Sequence, residues 1–209
     1  MTCRIANPLD DRREKFIVSC STVGAAGAGK TTLLRKFKSR EYEVAPATVG
    51  VDFVEARVEM DGEIARLILY DTAGTERFAS LTRAYIRNSM VVFLVFSYDN
   101  EDSFIGLAQK RQLIHEVAPD AIVVLVGTKA DLLDSPCSEW CKSLDMEKTC
   151  AILECNGGFF SVAAKSTKGD SVDAPFFHAV CLHAKRRESK PRETVSLLST
   201  ETKRKRCCH

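Results

Sequence analysis

The chain has 209 residues, 45% hydrophobic and 28% charged, which is enough for one sizeable core and too little for a second. Its formal charge of +2 is unevenly spread: residues 185–209 carry nine Lys and Arg against three Glu, and the remainder is mildly acidic. That split argues against a nucleic-acid-binding domain and for a basic tail that seeks an anionic surface such as a membrane leaflet. The first residues hold no apolar stretch that reads as a signal peptide. The longest apolar run, 90–96, is too short to span a bilayer, so the expectation is a cytosolic chain unless something is attached to it. The nine cysteines then read as free thiols in a reducing compartment.

In chain order, apolar and β-branched runs at 16–23, 51–60, 64–70, 91–96, 121–126 and 159–162 predict six strands, and helical spacing appears at 30–38, 101–117, 138–154 and 173–187. Met60, Asp61, Gly62 and Glu63 form a turn signal that makes the second and third strands an antiparallel hairpin at one edge. The remaining alternation, with no internal repeat, predicts an α/β fold: a six-stranded, mostly parallel sheet with helices on both faces. The last helix opens on Asp173 before Ala174 and Pro175, a suitable cap and first turn. Residues 1–14 read as an N-terminal extension, 15–187 as the domain and 188–209 as a disordered tail. Cys137, Cys141, Cys150 and Cys155 cluster, but a helix over 138–154 would project Cys141 and Cys150 from opposite sides, and no common zinc spacing fits them. Ser19, Cys20, Ser21 and Thr22 stand where a buried central strand would carry Val, Leu and Ile, and nothing in the sequence accounts for them.

Directly after the first strand, Gly24, Ala25, Ala26, Gly27, Ala28, Gly29, Lys30 and Thr31 fit G-x-x-x-x-G-K-[ST], and Thr32 follows in the helix. Glycines let the backbone curl so that successive N–H groups face a bound phosphate, while the helix presents its positive end to the same anion. Lys30 adds a full charge and Thr31 a hydroxyl for Mg²⁺. Such a loop serves ATPases, nucleotide kinases and GTPases equally. Asp71 closes the third strand in YDTAGTERF, where its carboxylate can hold Mg²⁺ through water and Gly74 can turn its N–H toward a γ-phosphate. Thr48 supplies a second hydroxyl for the metal. In GTKADL, Asp131 can accept from both N1–H and the exocyclic amine of guanine, a donor pair that adenine lacks. Lys129 can lay its stem over the base, the N–H of Ala164 in VAAK is placed for the base's O6, and Tyr42 flanks the base from the other side. Taken singly, Asp71, Asp131 and Thr48 could each be ordinary loop or capping residues; all the motifs in register could not.

These motifs resemble the Ras superfamily of small GTPases over 16–187. Within it they resemble the Rab family, on VGVDF at 49–53, RFASLT at 77–82, AYIRNS at 84–89 and FLVFSYDNEDSF at 93–104. The resemblance implies a single P-loop GTPase domain that binds GTP or GDP with Mg²⁺ and acts as a switch in vesicle-mediated membrane traffic. It places Lys30, Thr48, Gly74 and position 75 in catalysis, and adds Thr128, Ala163 and Lys165 to the base-binding set. It further implies a monomer served by a nucleotide exchange factor, a GTPase-activating protein, a Rab escort protein, a GDP-dissociation inhibitor and effectors of the GTP form, with no nucleic-acid partner. Cys207 and Cys208, after the basic run Lys203, Arg204, Lys205 and Arg206, resemble Rab endings that receive two geranylgeranyl groups. The implied location is the cytoplasmic face of an endomembrane with a cytosolic pool, and YIRNS leans toward the Golgi-associated branch.

Four departures from the family pattern stand out. Thr75 stands where the family places the Gln that orients the attacking water, so intrinsic hydrolysis should be slower by about tenfold or more, or about 1.4 kcal/mol. Around the base the loop between Tyr42 and Thr48 is one residue short, and Thr128 replaces Asn, which resembles the Rho branch and is tolerable. Ala163 replaces Ser and cannot donate the hydroxyl that helps orient Asp131, which predicts guanine specificity with nucleotide affinity below the family norm. A guanine-nucleotide-binding pseudo-GTPase working as a constitutive scaffold is the alternative these changes raise.

Overall fold

The computed structural model describes residues 2–7, 10, 12–42, 48, 50–72, 79–166 and 169–189. The expected Gly74, Thr75 and the tail with Cys207 and Cys208 lie outside them. The elements run β1 (Cys3–Ile5), β2 (Glu14–Gly24), α1 (Lys30–Ser39), β3 (Val51–Met60), β4 (Glu63–Thr72), α2 (Ala79–Arg87), β5 (Val91–Ser97), α3 (Glu101–Ile105), α4 (Leu107–Val117), β6 (Ile122–Thr128), 3₁₀ turns at Ala130–Leu132 and Pro136–Cys141, α5 (Met146–Ile152), β7 (Phe159–Val162) and α6 (Ala174–Ser189).

The strands form one sheet in the order β1-β3-β4-β2-β5-β6-β7. β1 with β3 and β3 with β4 are antiparallel; the other pairs are parallel. The expected mostly parallel sheet with an edge hairpin is therefore present, with seven strands in place of six. Asp61 and Gly62 both take positive φ, 48° and 85°, the two-residue geometry whose twist matches the flanking strands of a hairpin. The strand missed by the sequence reading, β1, has only three residues and no apolar run of its own. It forms because Cys3, Arg4 and Ile5 pair with Met60, Glu59 and Val58, with the Arg4–Glu59 ion pair across the same register.

β5 shows why both sheet faces are covered. Its side chains alternate, Val91, Phe93 and Val95 joining a core with Leu33, Leu34 and Phe37 of α1 and Phe176, Ala179 and Val180 of α6. Val92, Leu94 and Phe96 point the other way, into a second core with Ile86 of α2 and Leu107 and Ile114 of α4. The first core is bound by an aromatic cluster in which the Phe176 ring lies 4.3 Å from Phe37 and 5.1 Å from Phe93.

Two helical expectations need correction. The helix expected over 101–117 is divided at Gly106, although Gly106 itself stays near helical geometry and its N–H still bonds the Asp102 carbonyl. The helix expected over 138–154 is two elements. Pro136 opens a 3₁₀ turn, and Asp145 starts α5 afresh by accepting from the N–H groups of Glu147 and Lys148. α2 was not anticipated as a helix at all.

The polar first strand also acquires a physical explanation. Ser19 Oγ donates to the Asn88 carbonyl at 2.7 Å, and Ser21 and Ser89 share a hydrogen bond between hydroxyls, so both serines hold the end of α2 against the sheet. Thr72 Oγ1 donates to the Thr22 carbonyl at 2.6 Å, and Thr22 Oγ1 lies 3.4 Å from an Asp71 carboxylate oxygen. Ser19 is half-buried, and the buried hydroxyls of Ser21 and Thr22 are satisfied, which removes the cost that made them look out of place.

Candidate nucleotide and metal site

β2 ends at Gly24, level with Val95 in a parallel pair. A Cβ there would sit 2.2 Å from the Val95 carbonyl oxygen, so only glycine keeps the two strands paired where the chain leaves the sheet. Beyond it Gly27 and Gly29 take φ of 74° and 83°, which favour glycine and curl the loop into α1. Ala26 and Gly27 are exposed on the rim, Ala25 is half-buried and Ala28 is buried. Gly29 precedes α1 and contributes no side-chain cap, so the first amides of α1 keep their donors for an anion. Lys30 folds back over this loop, donating to the carbonyls of Gly24 at 3.1 Å and Ala25 at 2.9 Å. It is only 5% exposed. Burial lowers its pKa from 10.5 to about 8, opposed by the charge of Asp71 and assisted by that of Lys110.

The three residues expected to hold the metal meet. Thr31 Oγ1 donates to Asp71 Oδ2 at 2.6 Å; Thr48 Oγ1 lies 2.7 Å from the Thr31 hydroxyl and 3.2 Å from the same carboxylate oxygen. Neighbouring ligands of an octahedral Mg²⁺ at 2.0–2.1 Å stand about 2.9 Å apart, so the two hydroxyls suit that ion in spacing and in hardness, with the Asp71 carboxylate beside them able to hold it through water. Asp71 is buried, and burial pushes its carboxyl upward against the Thr31 hydrogen bond and the charge of Lys30. A buried carboxylate under that pressure is a place where an added cation is favourable.

Tyr42, Lys129, Asp131, Ala164 and Lys165, all expected at the base, line one cavity of about 220 Å³, with Gly29, Thr32 and Thr128 also in its wall. Lys129 adopts a left-handed backbone, φ 60°. Its ammonium is fixed by the Asp99 carboxylate at 2.8 and 3.0 Å. Burial pushes the Asp99 carboxyl up, but hydrogen bonds from Lys129 and Ser97 outweigh it and hold the group below its usual range. Thr128 is buried, with Oγ1 2.7 Å from the Ala28 carbonyl and 3.1 Å from that of Phe96, so it ties the end of β6 to the phosphate loop. Ala163 is buried in the second core and is not among the cavity's lining residues.

Asp99, Thr22, Leu132 and Val162 are the site residues that sequence reasoning missed. Asp99 could have been found: β5 and β6 end level, Ser97 opposite Thr128, so an acid just past one strand end faces a lysine just past the other. Thr22 shows in the sequence only as a polar residue in a buried strand, with nothing to tie it to Asp71, and the apolar wall of Leu132 and Val162 carries no sequence signal, because aliphatic side chains are ordinary in strands and turns.

A family model described as the Ras family matches residues 19–182. The chain belongs to the Ras family, in its Rab branch. The chain is 32% identical to the Ras-related protein RABE1e of Arabidopsis thaliana over 156 residues, 73% of this chain and 69% of that protein. It is 38% identical to Ras-related protein Rab-30 of Homo sapiens over 121 residues, 57% of this chain and 60% of that protein, so the match spans about three-fifths of Rab-30. RABA5b of Arabidopsis thaliana is 30% identical over 169 residues, 80% of this chain and 75% of that protein. A guanine nucleotide and Mg²⁺ are the ligands that Ras-family proteins bind in general, and the donor set described above fits both. Among the described residues of this Rab-type chain, no helix is long and apolar enough to cross a membrane.

Proposed function

We propose that this chain is a Rab-like switch that binds GTP and GDP, hydrolyses GTP slowly, and acts in vesicle-mediated membrane traffic. The observation that carries the proposal is the convergence of Thr31, Thr48 and Asp71 beside the glycine loop, next to a cavity that places Asp131 and Lys129 together. In this reading the loop amides and Lys30 hold the β- and γ-phosphates, and Lys30 exchanges the Gly24 and Ala25 carbonyls for phosphate oxygens. With a pKa near 8 it stays protonated at neutral pH. Thr31, Thr48 and Asp71 hold the Mg²⁺, which when bound neutralises charge on the phosphate oxygens. Asp131 reads guanine, Lys129 covers the base with its stem, and Ala164 donates its N–H to O6. Thr48 and Gly74 grip the γ-phosphate, and both segments relax once it leaves, so effectors distinguish the two states.

Thr75 is too short and too stiff at its branched β-carbon to position water, which slows hydrolysis and leaves a place for an activating protein to act in trans. An exchange factor, an escort protein and a dissociation inhibitor complete the cycle. Geranylgeranyl groups on Cys207 and Cys208, with the basic run before them, hold the monomeric protein on the cytoplasmic face of a Golgi or vesicle membrane, with a cytosolic pool.

Single-turnover hydrolysis by protein loaded with GTP and Mg²⁺, run beside Thr75→Gln, tests this. Slow turnover that Thr75→Gln accelerates about tenfold or more supports a switch with a slowed clock. Failure to load, or no hydrolysis by either form, favours the second reading, a constitutive scaffold, which Thr75 and the hydroxyl lost at Ala163 motivate.

A further inference from the structure

Cys3 of β1 and Cys181 of α6 are 178 residues apart in sequence, yet their Sγ atoms lie 3.2 Å apart. Both are half-buried against the same core. The position of Cys3 is set by its pairing with Met60, and β1 is pinned on either side of it by the Thr2 N–H donating to Asp61 Oδ1 at 2.9 Å and by Arg4 on Glu59. We propose that Cys3 and Cys181 are a modification site, a thiol pair that oxidises reversibly to a disulfide and staples β1 to α6. The sulfurs need to close by only about 1.2 Å to reach bonding distance.

The co-reactant is a small-molecule disulfide such as oxidised glutathione. Burial, with the hydrogen bond and charge of Cys181, pushes the Cys3 thiol up, and the exchange balances equally with either sulfur attacking first. With Cys181 first, its thiolate forms a bond to one glutathione sulfur and expels the other glutathione as a thiolate. Cys3, giving its proton to solvent, then attacks Cys181 Sγ and expels the second glutathione. Two protein thiols are oxidised and one oxidised glutathione is reduced to two thiols. The staple joins the end of β3 at Val58–Met60, whereas the Thr48 segment precedes the opposite end at Val51, so it fixes the edge strand without entering the nucleotide site.

The full chain is incubated with oxidised glutathione, free thiols are alkylated, and the digest is analysed by mass spectrometry. The expected product is a linked Cys3–Cys181 peptide pair lighter by two hydrogens. The thermal midpoint rises by about 5–10 °C, is restored by dithiothreitol, and does not rise in Cys3→Ser or Cys181→Ala. Nucleotide affinity is unchanged by oxidation. Recovery of Cys3 and Cys181 as alkylated thiols while exposed Cys137 is glutathionylated, or as two separate glutathione adducts, or linked to other cysteines, overturns the proposal.

Discussion

Lys30→Met should destroy the affinity for phosphate while leaving the nucleotide-free protein with a stability deficit that grows with pH. The drop in the Lys30 pKa from 10.5 to about 8 corresponds to about 3 kcal/mol of disfavour for the charged form. Methionine keeps the stem and removes the charge, but it abandons two hydrogen bonds from a charged donor to the Gly24 and Ala25 carbonyls, worth about 1.5–3 kcal/mol each. The net expectation at pH 7 is therefore a loss of about 0–3 kcal/mol, or a thermal midpoint lower by up to about 12 °C. The pH dependence gives the sign. Below pH 8 the lysine is charged in both folded and unfolded chains and its penalty is complete. Between 8 and 10.5 the folded protein has released the proton and the unfolded chain has not, so the unfolded state binds more protons and wild-type stability rises with pH. The deficit of Lys30→Met should therefore widen by about 3 kcal/mol across that window. Thermal unfolding of both proteins, stripped of nucleotide, at pH 7, 8.5 and 10 measures this, and titration with GTP should show affinity lower by about 100-fold. A variant clearly more stable than wild type at pH 7, or a difference that does not change with pH, refutes the reasoning.

Other substitutions probe other parts of the site and core. Gly24→Ala drives a methyl to within 2.2 Å of the Val95 carbonyl and should cost about 1–3 kcal/mol, read from the urea midpoint, together with weaker GTP binding. Thr128→Val removes a buried hydroxyl that contacts the Ala28 and Phe96 carbonyls; about 1–3 kcal/mol of stability and a several-fold loss of GTP affinity are expected from unfolding and titration, and an unchanged affinity would show that the tie does not position the loop. Phe176→Ala empties the space between Phe37 and Phe93 and should cost about 3–5 kcal/mol in chemical denaturation, a large share of an ordinary folding margin.

What the sequence by itself determined was local: six strands, the hairpin turn at Asp61 and Gly62, the glycine loop, and the residue types able to meet phosphate, metal and base. Each rests on short-range chemistry, alternation of apolar residues or the freedom of glycine, that neighbours along the chain already express. The helix over 138–154 failed because Asp145 could cap a new helix while apolar spacing continued past it, and periodicity does not weigh a capping side chain. β1 was invisible because three residues become a strand only when β3 offers them an edge. Only the tertiary structure decided that Ser19, Ser21 and Thr22 have partners, that Asp99 fixes Lys129, that Thr128 reaches back to Ala28, and that two cysteines 178 residues apart touch. The contacts of Thr22, Asp99 and Thr128 join elements brought level by parallel strand register, whereas Cys3 meets Cys181 through the antiparallel edge strand; the order β4-β2-β5-β6 that sets the parallel register comes from burying both faces of the sheet at once, which no single segment encodes.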